Sequence, residues 1–324
     1  LNTSAINSKC AFIKVRYNSR LARVRMESTV VTTKIGRGGS FTSPLRYPGG
    51  KGRLGPWLGQ LMSKNKIGGG WYVEPYAGGA GAAIYLLAQR HVDHIVINDL
   101  DPAVHAFWWA ILNDSEAFLE LVERTPVTMD GWYRQKEVHA DPDNFSLTEI
   151  GFATFFLNRT NRSGILKGGV IGGKRQDGAY SLSARFNKDD LIFRIQNVAA
   201  MSDRISLFNE DAVQLLSILR PDLPPKSLIY LDPPYYHKGS QLYRNHYLPE
   251  DHKQIANAVM GINTPWLVTY DNCDEIKELY AGCQNAEFSL HYSTAKGRPL
   301  ATEVMFFGNL KMTNGGPAMT RRSA

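Results

Sequence analysis

Ser227 to Tyr236 reads SLIYLDPPYY, and the fold is decided there. Leu228 to Leu231 is an apolar run of strand length that stops abruptly at Asp232-Pro233-Pro234-Tyr235. In open α/β sheets, ligands bind beyond the carboxyl ends of the strands, where this acid, these prolyl rings and this aromatic would lie. The prolines fix φ near about −65° and remove two backbone donors, which leaves carbonyls facing the site with no N–H beside them to compete. Asp232 and the Pro233 carbonyl are then placed to accept from one exocyclic amino group, and Tyr235 offers a ring on which a base stacks. The competing reading is a plain turn after a buried strand, because Pro-rich tetrapeptides end strands routinely.

A second strand end upstream favours a site. Trp71 to Gly81, WYVEPYAGGAG, is a short strand breaking into a glycine-rich turn, and Ala82 to Gln89 follows as a helix. Glycine lets the backbone approach a bound cofactor without interference from Cβ. Further on, His94 to Asp99, HIVIND, is a strand ending in an acid, from which a carboxylate accepts both hydroxyls of a ribose. Alone, a glycine turn with a later acid fits a nicotinamide-dependent dehydrogenase equally well. However, Gly78-Gly79-Ala80-Gly81 is not a clean G-x-G-x-x-G, and no basic residue beside it meets a pyrophosphate. A nucleoside without phosphates matches better.

Four motifs in one order carry a family resemblance: Arg46-Tyr47-Pro48-Gly49-Gly50-Lys51, Glu74-Pro75-Tyr76-Ala77-Gly78-Gly79, Asn98-Asp99, and Asp232-Pro233-Pro234-Tyr235. From about Pro44 to Asn309 the chain resembles the Dam-like DNA adenine N6-methyltransferases, whose cofactor is S-adenosylmethionine. The resemblance implies that Tyr47 and Lys51 neighbour the methionine moiety, that Glu74 to Gly79 form the cofactor turn, and that Asp99 binds the ribose. Tyr76 stands where phenylalanine is commoner, a swap expected to matter little. Asp211, after the strand Ile205 to Phe208, resembles the acid that meets the cofactor adenine, although an Asp opening a helix is often only an N-cap. Asp232, Pro233, Pro234 and Tyr235 match the catalytic tetrapeptide, Asp232 also lying against the cofactor.

Alternating strands and helices give an α/β fold without the resemblance. Pro265 to Tyr270 reads as a fifth strand, and Phe288 to Ser293 with Glu303 to Phe307 reads as a hairpin closing the sheet. Ala103 to Leu112, Ala212 to Leu219 and His252 to Met260 read as helices. The resemblance implies a seven-stranded Rossmann-like methyltransferase sheet with a terminal antiparallel hairpin. The catalytic domain is expected over residues 44–114 and 202–310, with 1–43 a disordered basic extension and 311–324 a flexible tail.

About a hundred residues separate Asp99 from the next core strand, more than one crossover needs. Residues 115–201 are therefore expected to be an inserted, mainly helical domain, which in this family carries target recognition. Within it, Asn158, Arg159, Asn161, Arg162, Lys167, Lys174 and Arg175 alternate with glycines. Arginine and lysine neutralise phosphates, and Arg or Asn pairs bidentately with a purine in the major groove, so these seven are candidate DNA contacts. The plain alternative is a solvated loop. The stretch departs from the pattern of GATC-modifying members, and no target sequence is assigned.

The chemistry follows from the residues. Adenine N6 is a poor nucleophile because its lone pair is delocalised into the ring. Acceptors at Asp232 and the Pro233 carbonyl favour a more pyramidal nitrogen and stabilise the developing charge. Since N6 is out of reach inside a duplex, the base must be flipped out. The segment Tyr236 to Tyr247, with Lys238, Tyr243 and Arg244, is expected to be mobile without DNA and to close over the flipped nucleotide.

Charge and composition set the remaining bounds. The net charge of +7 lies wholly in Leu1 to Arg37, where eight basic residues face the single acid Glu27, so the body is about neutral and any DNA attraction is local. That Arg-rich, acid-poor segment fits a transit peptide by composition, while the plainer reading takes Met26 as the start. No apolar run approaches the roughly eighteen residues of a membrane span. Cys10, Cys273 and Cys283 show no metal spacing, and their odd number fits a reducing compartment; the resemblance implies the cytoplasm of a bacterial or phage-infected cell. His237, His246 and His252 follow the tetrapeptide as solvated loop residues, and no metal is expected. The resemblance implies double-stranded DNA as the partner, with a cognate restriction endonuclease a further one to test, and the chain is expected to be monomeric. Still open at this level are an amino methyltransferase acting on cytosine N4, glutamine or RNA, and a catalytically silent DNA-binding regulator.

Overall fold

The computed structural model describes residues 43–46, 51–237, 247–291 and 300–312. Strands β1 (Trp71–Glu74), β2 (His94–Asn98), β3 (Ile205–Phe208), β4 (Ser227–Leu231), β5 (Trp266–Asp271), β6 (Gln284–His291) and β7 (Leu300–Gly308) form one sheet in the order β3-β2-β1-β4-β5-β7-β6. The first five pair in parallel, and β7 runs antiparallel to both β5 and β6. The expected seven strands and closing hairpin are present. β6 begins four residues earlier than expected because it is the sheet edge, where exposed Gln284, Asn285 and Glu287 need no apolar run.

Both faces of the sheet are covered, as parallel strands require. On one face, Tyr72, Ile95, Leu228, Tyr230, Leu267, Met305 and Phe307 pack against Leu58 and Leu86 and against Phe107 and Phe155. These partners belong to helices α1 (Gly55–Lys64), α2 (Gly81–Ala88), α3 (Pro102–Asn113) and α6 (Leu147–Thr160). The residues between them in sequence, among them Val73, Val96, Ile229 and Val268, face a second core under α8 (Ala212–Leu219) and α9 (Pro249–Met260). That strict alternation is the two-residue period of a strand.

Between β2 and β3 lie α3, α4 (Ser115–Arg124), α5 (Met129–Ala140), α6 and α7 (Lys188–Ala199). Helix α6 starts with a reciprocal capping box, Ser146 with Glu149, and is buried from Gly151 to Thr160. Phe107, Phe118, Phe152, Phe155, Phe156 and Phe186 form its aromatic surroundings, continuous with the core of the sheet.

Strand order reverses between β1 and β4, which are neighbours but lead to opposite sides of the sheet. This switch point is where open α/β sheets place ligands. Glu74 and Asp232 end or follow these two strands.

Candidate active site

After Glu74, the chain turns through Gly78 (φ 46°) and Ala80 (φ 45°) into α2. Ala80 is a non-glycine residue held in the left-handed region, a strain that persists only where the surroundings fix it. The turn is fixed from β2: the Ala77 amide donates to the Asn98 carbonyl (2.8 Å), and the Gly78 amide to Asp99 Oδ2 (2.8 Å). Trp108 Nε1 donates to the Gly78 carbonyl (2.9 Å). Buried Asn98 donates to the carbonyls of Pro75 and Glu210 and accepts from the Glu210 amide, which ties the ends of β1 and β3 together. Gly81 packs closely: a Cβ there would lie 3.0 Å from the Gly52 Cα in the turn that follows Lys51, so one of the two would have to give.

Three acids lie along this edge. Asp99 accepts from the Gly78 and Asp101 amides, yet burial pushes its carboxyl up to about 7 against those two bonds. Glu74 is buried, and desolvation with the nearby Asp232 charge pushes it up to about 8. Its Oε2 has no hydrogen-bond partner among the described residues. Asp211 is the N-cap of α8, where its Oδ1 accepts from the Val213 (2.9 Å) and Gln214 (3.4 Å) amides. The Tyr76 hydroxyl, which phenylalanine would lack, has a partner. It lies 2.7 Å from that of Tyr247, joining the glycine turn to the chain entering α9.

Asp232 is gripped from two sides. Its Oδ1 accepts from Thr269 Oγ1 (2.7 Å) and from the Lys51 ammonium (3.1 Å). Thr269 has one proton and gives it to Asp232, so the Tyr230 hydroxyl, 2.9 Å away, must donate to Thr269. Lys51 also donates to Glu303 Oε1 (3.3 Å), which in turn accepts from the Tyr235 hydroxyl (2.7 Å). Burial works to lower the Lys51 ammonium, but the carboxylates of Asp232 and Glu303 outweigh it and hold its pKa above the ordinary value. Burial and the Glu303 charge push Asp232 upward against Lys51 and Thr269. Both of these contacts fall on Oδ1.

Past the prolines, the Tyr236 amide donates to Asp271 Oδ1 (3.0 Å) and the His237 amide to Oδ2 (3.5 Å), so β5 anchors the chain leaving the tetrapeptide. Sequence reasoning missed Thr269, Asp271 and Glu303. The available signal was polarity out of place: Thr269 and Glu303 sit within otherwise apolar strands, on the face that carries Leu267, Met305 and Phe307.

The structure divides the seven candidate DNA contacts. Arg162, Lys167, Lys174 and Arg175 are exposed, with Arg175 paired to Asp177 at 3.0 Å. Asn158, Arg159 and Asn161 are buried, which corrects the reading of them as DNA contacts. Asn158 accepts from the Arg46 amide (2.7 Å) and donates to the carbonyls of Arg46 and Gly164. The Arg159 guanidinium donates to the carbonyls of Pro44 and Ser43, and its desolvation, with Arg194 and Arg46 nearby, brings its pKa down to about 9. Asn161 accepts from Trp132 Nε1 (2.7 Å) and donates to the carbonyls of Ile165 and Leu166. Their polar groups are committed to backbone and to neighbouring side chains, so no base or phosphate can use them without dismantling the loop.

His252 also differs from expectation. It is buried on α9, 3.0 Å from the Tyr270 hydroxyl. Ligand atoms of His237, Cys273 and Glu275 lie within 4.8 Å of one another at the surface, where His237 faces Glu275 at 3.6 Å. Tyr47, Lys238, Tyr243, Arg244 and His246 lie outside the described residues, as do the expected basic extension through residue 42, the centre of the closing segment and the tail from residue 313.

The sheet order and the two strand-end motifs define an α/β methyltransferase. The family model of the D12 class N6 adenine-specific DNA methyltransferases matches residues 47–297, and the chain belongs to that family. It is therefore an enzyme whose cofactor is S-adenosylmethionine. Similar solved structures include the rRNA methyltransferase AviRa from Streptomyces viridochromogenes, at 14% identity over 77% of this chain and 82% of that one, with a TM-score of 0.32. A SAM-dependent methyltransferase from Agrobacterium tumefaciens is similar at 9% identity over 79% of this chain and 61% of that one, with a TM-score of 0.34. No curated protein matches the chain. Among the described residues, no helix is long and apolar enough to cross a membrane.

Proposed function

We propose that the protein methylates N6 of an adenine flipped out of double-stranded DNA, at a specific site, with Asp232 as the residue that receives the amino group. The observation that carries this reading is the fixation of Asp232 at the switch point: Thr269 and Lys51 take Oδ1 and leave Oδ2 for a donor beside the glycine turn.

The residues present fit the cofactor. Glu74 offers a buried carboxyl oxygen with no hydrogen-bond partner among the described residues, Gly78 turns the backbone through the left-handed region at the strand end, and Asp99 is tied to that turn by the Gly78 amide. Glu74 to Gly79, Lys51, Asp99 and Asp211 would hold it, with Tyr47 assigned by resemblance. When bound, S-adenosylmethionine supplies a methyl group on a positively charged sulfur.

Asp232 and the Pro233 carbonyl accept from the two N6 protons, which draws the nitrogen toward a pyramidal shape and stabilises its growing positive charge. Pro233 and Pro234 keep competing N–H groups away. Extruding the base costs a few kcal/mol, and stacking on Tyr235 returns about 1 to 3 kcal/mol. Tyr235 is buried against Glu303 without DNA, so its ring must become accessible as the base arrives. Residues 115–201 would read the target, with Arg162, Lys167, Lys174 and Arg175 as the cations available to phosphate.

Duplex DNA treated with the protein and methyl-labelled cofactor, digested and analysed by mass spectrometry of nucleosides, tests the reading. N6-methyladenine is expected. Label appearing in N4-methylcytosine, or in RNA but not DNA, would replace it.

A further inference from the structure

The catalytic tetrapeptide is fastened at Asp232 by Lys51 and Thr269, and beyond the prolines by Asp271. A third fastening comes from a strand no motif marks. Glu303 lies on β7, opposite Asp271 of β5 in the register, and its side chain is 1% exposed. Its neighbours on that face, Met305 and Phe307, belong to the apolar core. A carboxylate there is costly unless paired, and a core residue of the same volume would pack without that cost. What the acid provides is specific: Oε1 accepts from the Lys51 ammonium at 3.3 Å and from the Tyr235 hydroxyl at 2.7 Å. Lys51 lies at the same time 3.1 Å from Asp232 and 5.6 Å from the centre of the Tyr235 ring. Four side chains from the turn after the Pro-Gly-Gly segment, from both ends of the tetrapeptide and from β7 thus close a ring.

We infer that Glu303 is a positioning residue for methyl transfer, which through Lys51 and Tyr235 sets where the two ends of the tetrapeptide stand. The inference rests on the proposed function for its kinetic readout. Glu303 touches neither base nor cofactor in this account. It aims Asp232 by holding the cation that Asp232 shares, and it holds the Tyr235 hydroxyl that fixes the ring on which the base stacks. Asp232, just beyond β4, and Glu303 from β7 are the carboxylates that face Lys51 and hold its proton.

Glu303→Gln keeps the shape and removes the charge. It is expected to lower kcat at least tenfold with the Kd for S-adenosylmethionine changed less than threefold, and to move the alkaline limb of the kcat profile to lower pH. A purely structural role would not move that limb. Tyr235→Phe removes one arm without stranding a charge, and should lower kcat while costing little more in the double variant than Glu303→Gln does alone. A 3-fluorotyrosine at position 235 gives a substrate-free readout by 19F NMR: a narrow line in the parent protein, shifted and broadened by Glu303→Gln. Wild-type kcat, pH limb and line width in folded Glu303→Gln would overturn the inference. Should Glu303→Gln not fold, an unchanged kcat in Tyr235→Phe would do so. A parent protein that methylates no DNA would overturn the proposed function instead, and the NMR comparison would still decide the role of Glu303.

Discussion

Thr269→Val removes one hydroxyl at almost constant volume, and two consequences follow from the relay Tyr230 to Thr269 to Asp232. The Tyr230 hydroxyl, wholly buried, loses its acceptor, which costs about 1 to 3 kcal/mol. Asp232 loses a donor to its ionised form. A hydrogen bond to a charged group contributes about 1.5 to 3 kcal/mol, so its loss raises the pH at which Asp232 ionises. Asp232 already stands above the ordinary carboxylate range through burial, so the variant pushes it further in the same direction. Since the carboxylate is the working form, the acid limb of kcat moves to higher pH, while well above that limb the rate recovers to within about tenfold of the parent. Methyl-transfer rates between pH 5 and 9, with urea unfolding on the same samples, measure both effects. Thr269→Ser restores the donor and should restore the limb. An acid limb unmoved in Thr269→Val, with stability lowered as expected, would refute the claim that this hydroxyl sets the charge state of Asp232.

Two other outcomes separate binding from structure. Replacing Arg162 and Arg175 with alanine should weaken DNA binding and reduce its logarithmic salt dependence by about 1.8 if both meet phosphates, as read from binding isotherms at several salt concentrations; an unchanged slope would remove them from the interface. Arg159→Ala should instead lower stability by about 3 kcal/mol, because it strands the carbonyls of Ser43 and Pro44, and denaturation of the variant measures this directly. Glu74, pushed up to about 8 in the folded protein, keeps its proton where the unfolded chain has lost it. Stability of the cofactor-free protein should therefore fall as pH rises from about 4.5 to 8, by up to roughly 4 kcal/mol, and Glu74→Gln should flatten that slope in urea titrations at several pH values.

The sequence made legible what is contiguous. Strand ends that run into Glu74-Pro75 or Asp232-Pro233-Pro234 announce themselves because an apolar run, a rigid ring and an acid are adjacent in the chain. Thr269 and Asp271 act through the placing of β5 beside β4, and Glu303 through the pairing of β7 with β5 and the approach of Lys51, a register that no local pattern encodes. The misreading of Asn158, Arg159 and Asn161 has the same origin. The stretch NRTNRSG looks like a surface loop by composition, yet its first residues complete α6, a helix buried around its whole final two turns, and only the chain beyond Asn161 is turned outward. Polar residues that pin backbone and polar residues that await a ligand share one composition. Burial alone tells them apart.

Single-turnover transfer of labelled methyl to duplex DNA by Asp232→Ala, beside calorimetric binding of S-adenosylmethionine to the same protein, tests the central assignment most directly. Transfer below detection is expected, with cofactor affinity within about threefold of the parent, the lost acceptor being felt chiefly in the transition state. Transfer at the parental rate would contradict it.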